Sequence, residues 1–214
     1  MDDRRFHLEE TASALTHGLG ALASVAGGGA LITLAAARGD GWQLLSAVVF
    51  SLTLFMLYTS STLYHAVRRE IARARLRVVD HCAIFLLIAG TYTPFTLVTL
   101  RGAWGWSLFG LVWALAVAGV VFKLFFTGRL KRLSTAIYLG MGWLVIVAVR
   151  PFVEAVPLET LLWLLAGGLA YTMGTAFYHC RRIPFSHAVW HLFVLAGSAC
   201  HFIAVASQVA TALT

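Results

Sequence analysis

The chain has 214 residues, 60% hydrophobic and 12% charged, with a mean hydropathy of +0.83 and a net charge of +7. So apolar a balance at this length excludes an ordinary water-soluble domain and marks an integral membrane protein. The basic residues are spread over short segments and are not gathered beside base-stacking aromatics, which argues against a nucleic-acid partner.

Taken in chain order, the first element is an acidic leader with Asp2, Asp3, Glu9 and Glu10. It lacks the cationic start of a cleaved signal peptide, so the span that follows is expected to stay in the mature protein. Seven stretches approach or exceed the roughly 20 apolar residues that a helix needs to cross the hydrocarbon core. They run from Gly18 to Ala37, Trp42 to Tyr64, Cys82 to Leu100, Gly102 to Phe122, Leu133 to Val149, Thr160 to Tyr178 and Phe185 to Ala210. Together they nearly exhaust the chain, which predicts an all-α, polytopic fold in one domain over 1–214. Glycines inside the apolar runs, at 27, 28 and 29 and at 167 and 168, predict close helix packing and no phosphate loop. Cys82, Cys180 and Cys200 lack metal-knuckle spacing and read as small buried hydrophobes. The run Arg68 to Arg77 between spans two and three reads as a solvated loop, with docking of anionic lipid headgroups as its alternative.

Charge placement predicts the orientation. Thirteen of the sixteen Lys and Arg residues fall before span one, between spans two and three, after span four, or after span six; only Arg38, Arg101 and Arg150 fall on the other side. By the positive-inside rule the N-terminus is cytoplasmic and the C-terminus lies outside. The expected location is the cell's inner (plasma) membrane.

This orientation, taken from Lys and Arg alone, collects four other residues at one membrane depth. His65 ends span two on the cytoplasmic side, Asp80 opens span three there, and His187 and His191 open span seven there. His187 and His191 are one helical turn apart and share a face. Ionisable side chains in a membrane helix carry a functional presumption, and three imidazoles with an open fourth position suit a catalytic zinc ion. Asp80 would orient or deprotonate a water there, and Ser61, one turn before His65, would donate a hydrogen bond to Asp80, the water or a substrate oxyanion. Each has a plainer reading when taken singly: His65 as an interfacial helix cap, Asp80 as the N-cap of span three, Ser61 bonded back to the Leu57 carbonyl. Of the other histidines, His17 stands as a reserve ligand or substrate contact. His81 points about 100° away from Asp80, His179 closes span six at the interface, and His201 lies some 20 Å along span seven from His187, where it could line a cavity.

The runs Glu9-Glu10 with Thr16-His17-Gly18, Ser60 to His65, Asp80-His81 with Ala83-Ile84, Gly90 to Phe95, and His187 through Phe202 resemble the bacterial hemolysin III family over the whole chain. That family sits within the group of progestin and adipoQ receptors and is more distantly similar to alkaline ceramidases. The resemblance implies seven membrane helices and a zinc ion held by His65, His187 and His191, with Asp80 and Ser61 beside a metal-bound water. It also implies hydrolysis of a lipid amide or ester bond, a ceramide-like amide first, with a receptor or a pore-forming hemolysin holding a structural zinc as the alternative. The long soluble N-terminal region of the animal receptors has no counterpart here, which counts against hormone sensing.

Overall fold

The computed structural model describes residues 3–180 and 182–211; Asp2 of the acidic leader and Arg181 of the charge pattern lie outside them. The described residues fold into helices and turns without a strand, and seven helices are long and apolar enough to cross a membrane.

Helix α1 runs unbroken from Asp3 to Arg38 over 36 residues. At 1.5 Å per residue that is about 54 Å, well beyond a hydrocarbon core of about 30 Å. The acidic leader is therefore the first turns of the helix and does not precede it. A hydropathy window misses this, because residues 3–17 form a regular helix whose polar side chains Ser13 and His17 are buried against other helices. A tight link at Gly39 and Asp40 then reverses the chain. Asp40 closes a capping box on α2, Gly41–Ala66: its Oδ1 accepts from the amides of Trp42 and Gln43, and the Gln43 side chain accepts from the Asp40 amide at 2.6 Å.

Helix α3 spans Glu70–Pro94, so only three residues, 67 to 69, separate it from α2. The expected arginine loop is thus mostly helix, with Arg73, Arg75 and Arg77 in its first turns. Arginine is a good helix former, and charge alone does not distinguish a loop from a helix end. Pro94 removes an amide near the end of α3. The chain widens there into a single π turn, Phe95–Thr99, closed by Leu100 N–H donating to Phe95 O at 2.8 Å.

Helix α4, Ala103–Phe126, packs against α3. The fifth span departs from the uninterrupted stretch expected over Leu133 to Val149: it is α5, Lys131–Gly142, a 3₁₀ segment, Leu144–Ala148, and α6, Val149–Ala155. A break inside lipid exposes backbone groups that must find partners within the protein. Tyr92 of α3 supplies one, its hydroxyl accepting from Val145 N–H and donating to Gly142 O, both at 2.9 Å.

Helices α7, Leu158–His179, and α8, Ser186–Thr211, pair along their length. Gly167 allows this closeness, since a Cβ there would lie 2.3 Å from the ring of His201. Gly28 does the same for α1 on α2 against Ser51, whereas Gly29 faces open space and has no packing role. Contacts run α1–α2–α3–α5–α7–α8 and back to α1, with α4 outside against α3. Phe50, Leu54, Leu57, Tyr58, Val194 and Val205 form the centre of the main core, while Leu15, Leu19 and Leu22 of α1 face outward as a lipid-facing helix requires. Cys82 is buried as expected; Cys180 and Cys200 are only partly so, Cys180 because it follows the last turn of α7.

Candidate metal centre

Three of the expected residues meet at one end of the ring. His65 comes from the last turn of α2, and His187 and His191 come from the first two turns of α8. Ligand nitrogens of all three lie within 4.8 Å of one another. Their ring centroids form a nearly regular triangle with sides of 4.9, 4.9 and 4.7 Å. His65 is 6% exposed and His191 2%. The stretches that supply them are more than 120 residues apart in the chain, and tertiary packing alone brings them together.

The proton positions follow from the partners. His65 Nδ1 is 3.1 Å from Glu10 Oε2, and a carboxylate can only accept, so Nδ1 carries the proton and Nε2 keeps its lone pair. His191 Nδ1 is 3.2 Å from the Ser13 carbonyl, which fixes the same tautomer. His187 Nε2 lies 3.2 Å from His65 Nε2. Imidazole nitrogens that close need a proton or a cation between them. Two nitrogens each about 2.0–2.1 Å from a tetrahedral zinc ion sit about 3.3 Å apart, so the spacing fits such an ion.

Asp80 stands outside this triad yet within electrostatic reach of His65. Its plainer reading as an N-cap does not hold, because α3 starts ten residues earlier and Asp80 lies in the helix interior. Ser61 is 1% exposed. Its hydroxyl lies beside the Asp80 side chain but outside hydrogen-bond geometry, and no other group satisfies it. The back-bond to Leu57 O expected of Ser61 is made by its neighbour Ser60. A buried hydroxyl without a hydrogen bond, beside a carboxylate and one turn before His65, fits a site built for a further oxygen-bearing group.

The remaining histidines divide clearly. His81 donates to the Arg77 carbonyl on its own helix, and His179 bonds Thr135. His201 donates to Leu164 O across the α7–α8 seam and is packed into the Gly167 notch, so it serves packing there. His17, 3% exposed, stacks on His191 with ring centroids 3.5 Å apart and planes 9° from parallel, and both of its ring nitrogens lack a partner. It borders the triad without belonging to it.

Hydropathy separates Glu9 and Glu10 from the first span and so hides the partners that α1 supplies; their position seven and eight residues ahead of His17 becomes a signal once the helix is continuous.

A family model described as haemolysin-III related matches residues 6–202. The chain belongs to that family. It is 44% identical to Hemolysin-3 of Bacillus cereus over 201 residues, covering 94% of this chain and 92% of that one. It is 46% identical to the Hemolysin-3 homolog of Bacillus subtilis (strain 168), covering 92% of each. A human relative, monocyte to macrophage differentiation factor, is 28% identical over 92% of this chain and 83% of its own length. This haemolysin-III member is thus a multi-pass membrane protein with three histidines close enough together to hold a metal ion.

Proposed function

We propose that this protein is a zinc-dependent hydrolase of a lipid amide or ester bond. It would lie in the plasma membrane with its N-terminus and histidine centre on the cytoplasmic side. The observation that carries the reading is the convergence of three imidazoles, two of them buried and held as the Nδ1–H tautomer, beside an acid and an unsatisfied hydroxyl. His65, His187 and His191 would hold the ion. Zinc in such a site supplies Lewis acidity and a water of lowered pKa.

The protein's own groups do the rest. Asp80 orients the attacking water, takes its proton and returns it to the leaving amine or alcohol, so that lipid and water give fatty acid plus the amine or alcohol. Ser61 donates its hydroxyl proton to the carbonyl oxygen as negative charge develops there. A centre at one end of the helix ring suits a lipid, whose polar linkage lies at the interface while its tails run along the helices. A ceramide-like amide is the first substrate to test.

The hemolysin names of the Bacillus relatives favour a second reading, a lytic pore with zinc in a structural role. Reconstituted protein incubated with a mixed lipid extract separates the two. Chelator-sensitive release of fatty acid, detected by mass spectrometry, supports the hydrolase. Dye leakage from the same liposomes without metal-dependent fatty acid overturns it in favour of the pore.

A further inference from the structure

All three histidine residues of the triad are contacted from α1, the one helix of the cluster that supplies none of them. Glu10 meets the ring of His65, Ser13 O meets the ring of His191, and Glu9 Oε1 accepts the backbone N–H of His187 at 3.0 Å. Residues 9, 10, 13, 16 and 17 share one face of a helix, which is why a single element reaches both α2 and α8. The His187 amide is among the first of α8, where no intrahelical acceptor exists, so Glu9 sets where that helix begins relative to α1.

Glu10 is held from both sides. The same oxygen that accepts from His65 also pairs with the Arg73 guanidinium from α3. Arg73 in turn lies 5.4 Å from the ring of Phe6 and 5.2 Å from that of Tyr64. The carboxylate cannot swing to solvent without giving up both partners. A carboxylate accepting from the distal N–H of a ligating imidazole fixes its tautomer and orientation and raises its basicity.

We infer that Glu10 is a positioning residue of the histidine centre, holding His65 in the orientation and tautomer that offer Nε2 to a divalent cation. This rests on the metal-centre reading above. The competing view makes Glu10 an interhelical staple, an ion pair with Arg73 that ties α1 to α3 and has no bearing on the metal.

The test is metal affinity, measured on the full-length chain in detergent after chelator stripping. Zinc is titrated against a competing chelator, and cobalt(II) is followed by its visible d–d bands, which report ligand geometry. Glu10→Gln keeps the size of the side chain and removes its charge; zinc affinity is expected to fall about 10- to 100-fold, with altered cobalt bands. Glu10→Asp keeps the carboxylate one methylene short of His65 and should recover part of the loss. Glu154→Gln removes an exposed carboxylate that pairs with Arg150 and should leave affinity unchanged. A lowered thermal stability with wild-type affinity and unaltered cobalt bands in Glu10→Gln identifies a staple and overturns the inference. If Glu10→Gln fails to fold, wild-type affinity in Glu10→Asp does so instead. A wild-type chain that takes up neither zinc nor cobalt overturns the metal-centre reading itself, a result distinct from the others.

Discussion

Helix α8 carries histidines in two settings. At its start, His187 and His191 face His65 across an interhelical gap, with ligand nitrogens of all three within 4.8 Å of one another. Halfway along, His201 rests in the Gly167 notch, its Nε2 donating to Leu164 O at 3.2 Å and its ring against Tyr171 at 5.4 Å. Both settings put an imidazole inside a membrane bundle. The difference is convergence: one ring with one acceptor is satisfied and structural, whereas three rings whose ligand nitrogens lie within 4.8 Å of one another could hold a metal ion.

Several experiments sharpen or break that contrast. The largest effect is expected from His187→Ala with His191→Ala, which should lose the roughly one zinc per chain expected of the purified protein. Elemental mass spectrometry checks it, and full zinc retention in the double variant would sink the site. His201→Ala should keep the metal, which is the sharper half of the comparison.

Asp80→Asn follows, with metal retained and lipid hydrolysis lowered by about 10²- to 10⁴-fold. Hydrolysis at the wild-type rate would remove Asp80 from proton transfer. Ser61→Ala should retain metal and lower turnover by about 10²-fold, with little change in KM, because the hydroxyl is proposed to act on charge that develops in the transition state. A rise in KM alone would make it a binding contact.

Stability changes are the smallest effects. Gly167→Ala forces a methyl into the His201 ring and should cost about 1–3 kcal/mol, read as thermal unfolding in detergent, with metal content unchanged. Tyr92→Phe leaves Val145 N–H without its acceptor at the break in span five and should cost a similar 1–3 kcal/mol. An unaltered melting temperature there would mean that the break is satisfied in another way.

The seven spans were legible because lipid demands about 20 apolar residues per crossing, and that requirement shows directly in composition. Helix ends were not legible where polar residues continue a helix. Residues 3–17 of α1 and 70–81 of α3 look like leader and loop to any hydropathy measure, yet both are regular helix. The break in span five was hidden for the opposite reason. Leu144–Ala148 is as apolar as a helix, and the Tyr92 hydroxyl, 50 residues before Gly142 in the chain, bridges backbone groups on either side of the break.

At the site, the sequence by itself determined the candidate set. His187 and His191 at one-turn spacing, His65 and Asp80 at matching depth, and Ser61 one turn from His65 all follow from helix geometry and charge bias. Only the tertiary structure decided which of them meet. It closed the triad without Asp80, gave the back-bond to Leu57 O to Ser60 and not to Ser61, and turned Glu9, Glu10 and Ser13 of α1 into partners of the three histidines. The physical reason is that local spacing fixes which residues share a helix face, while the point that a face looks at depends on neighbours brought in from far along the chain.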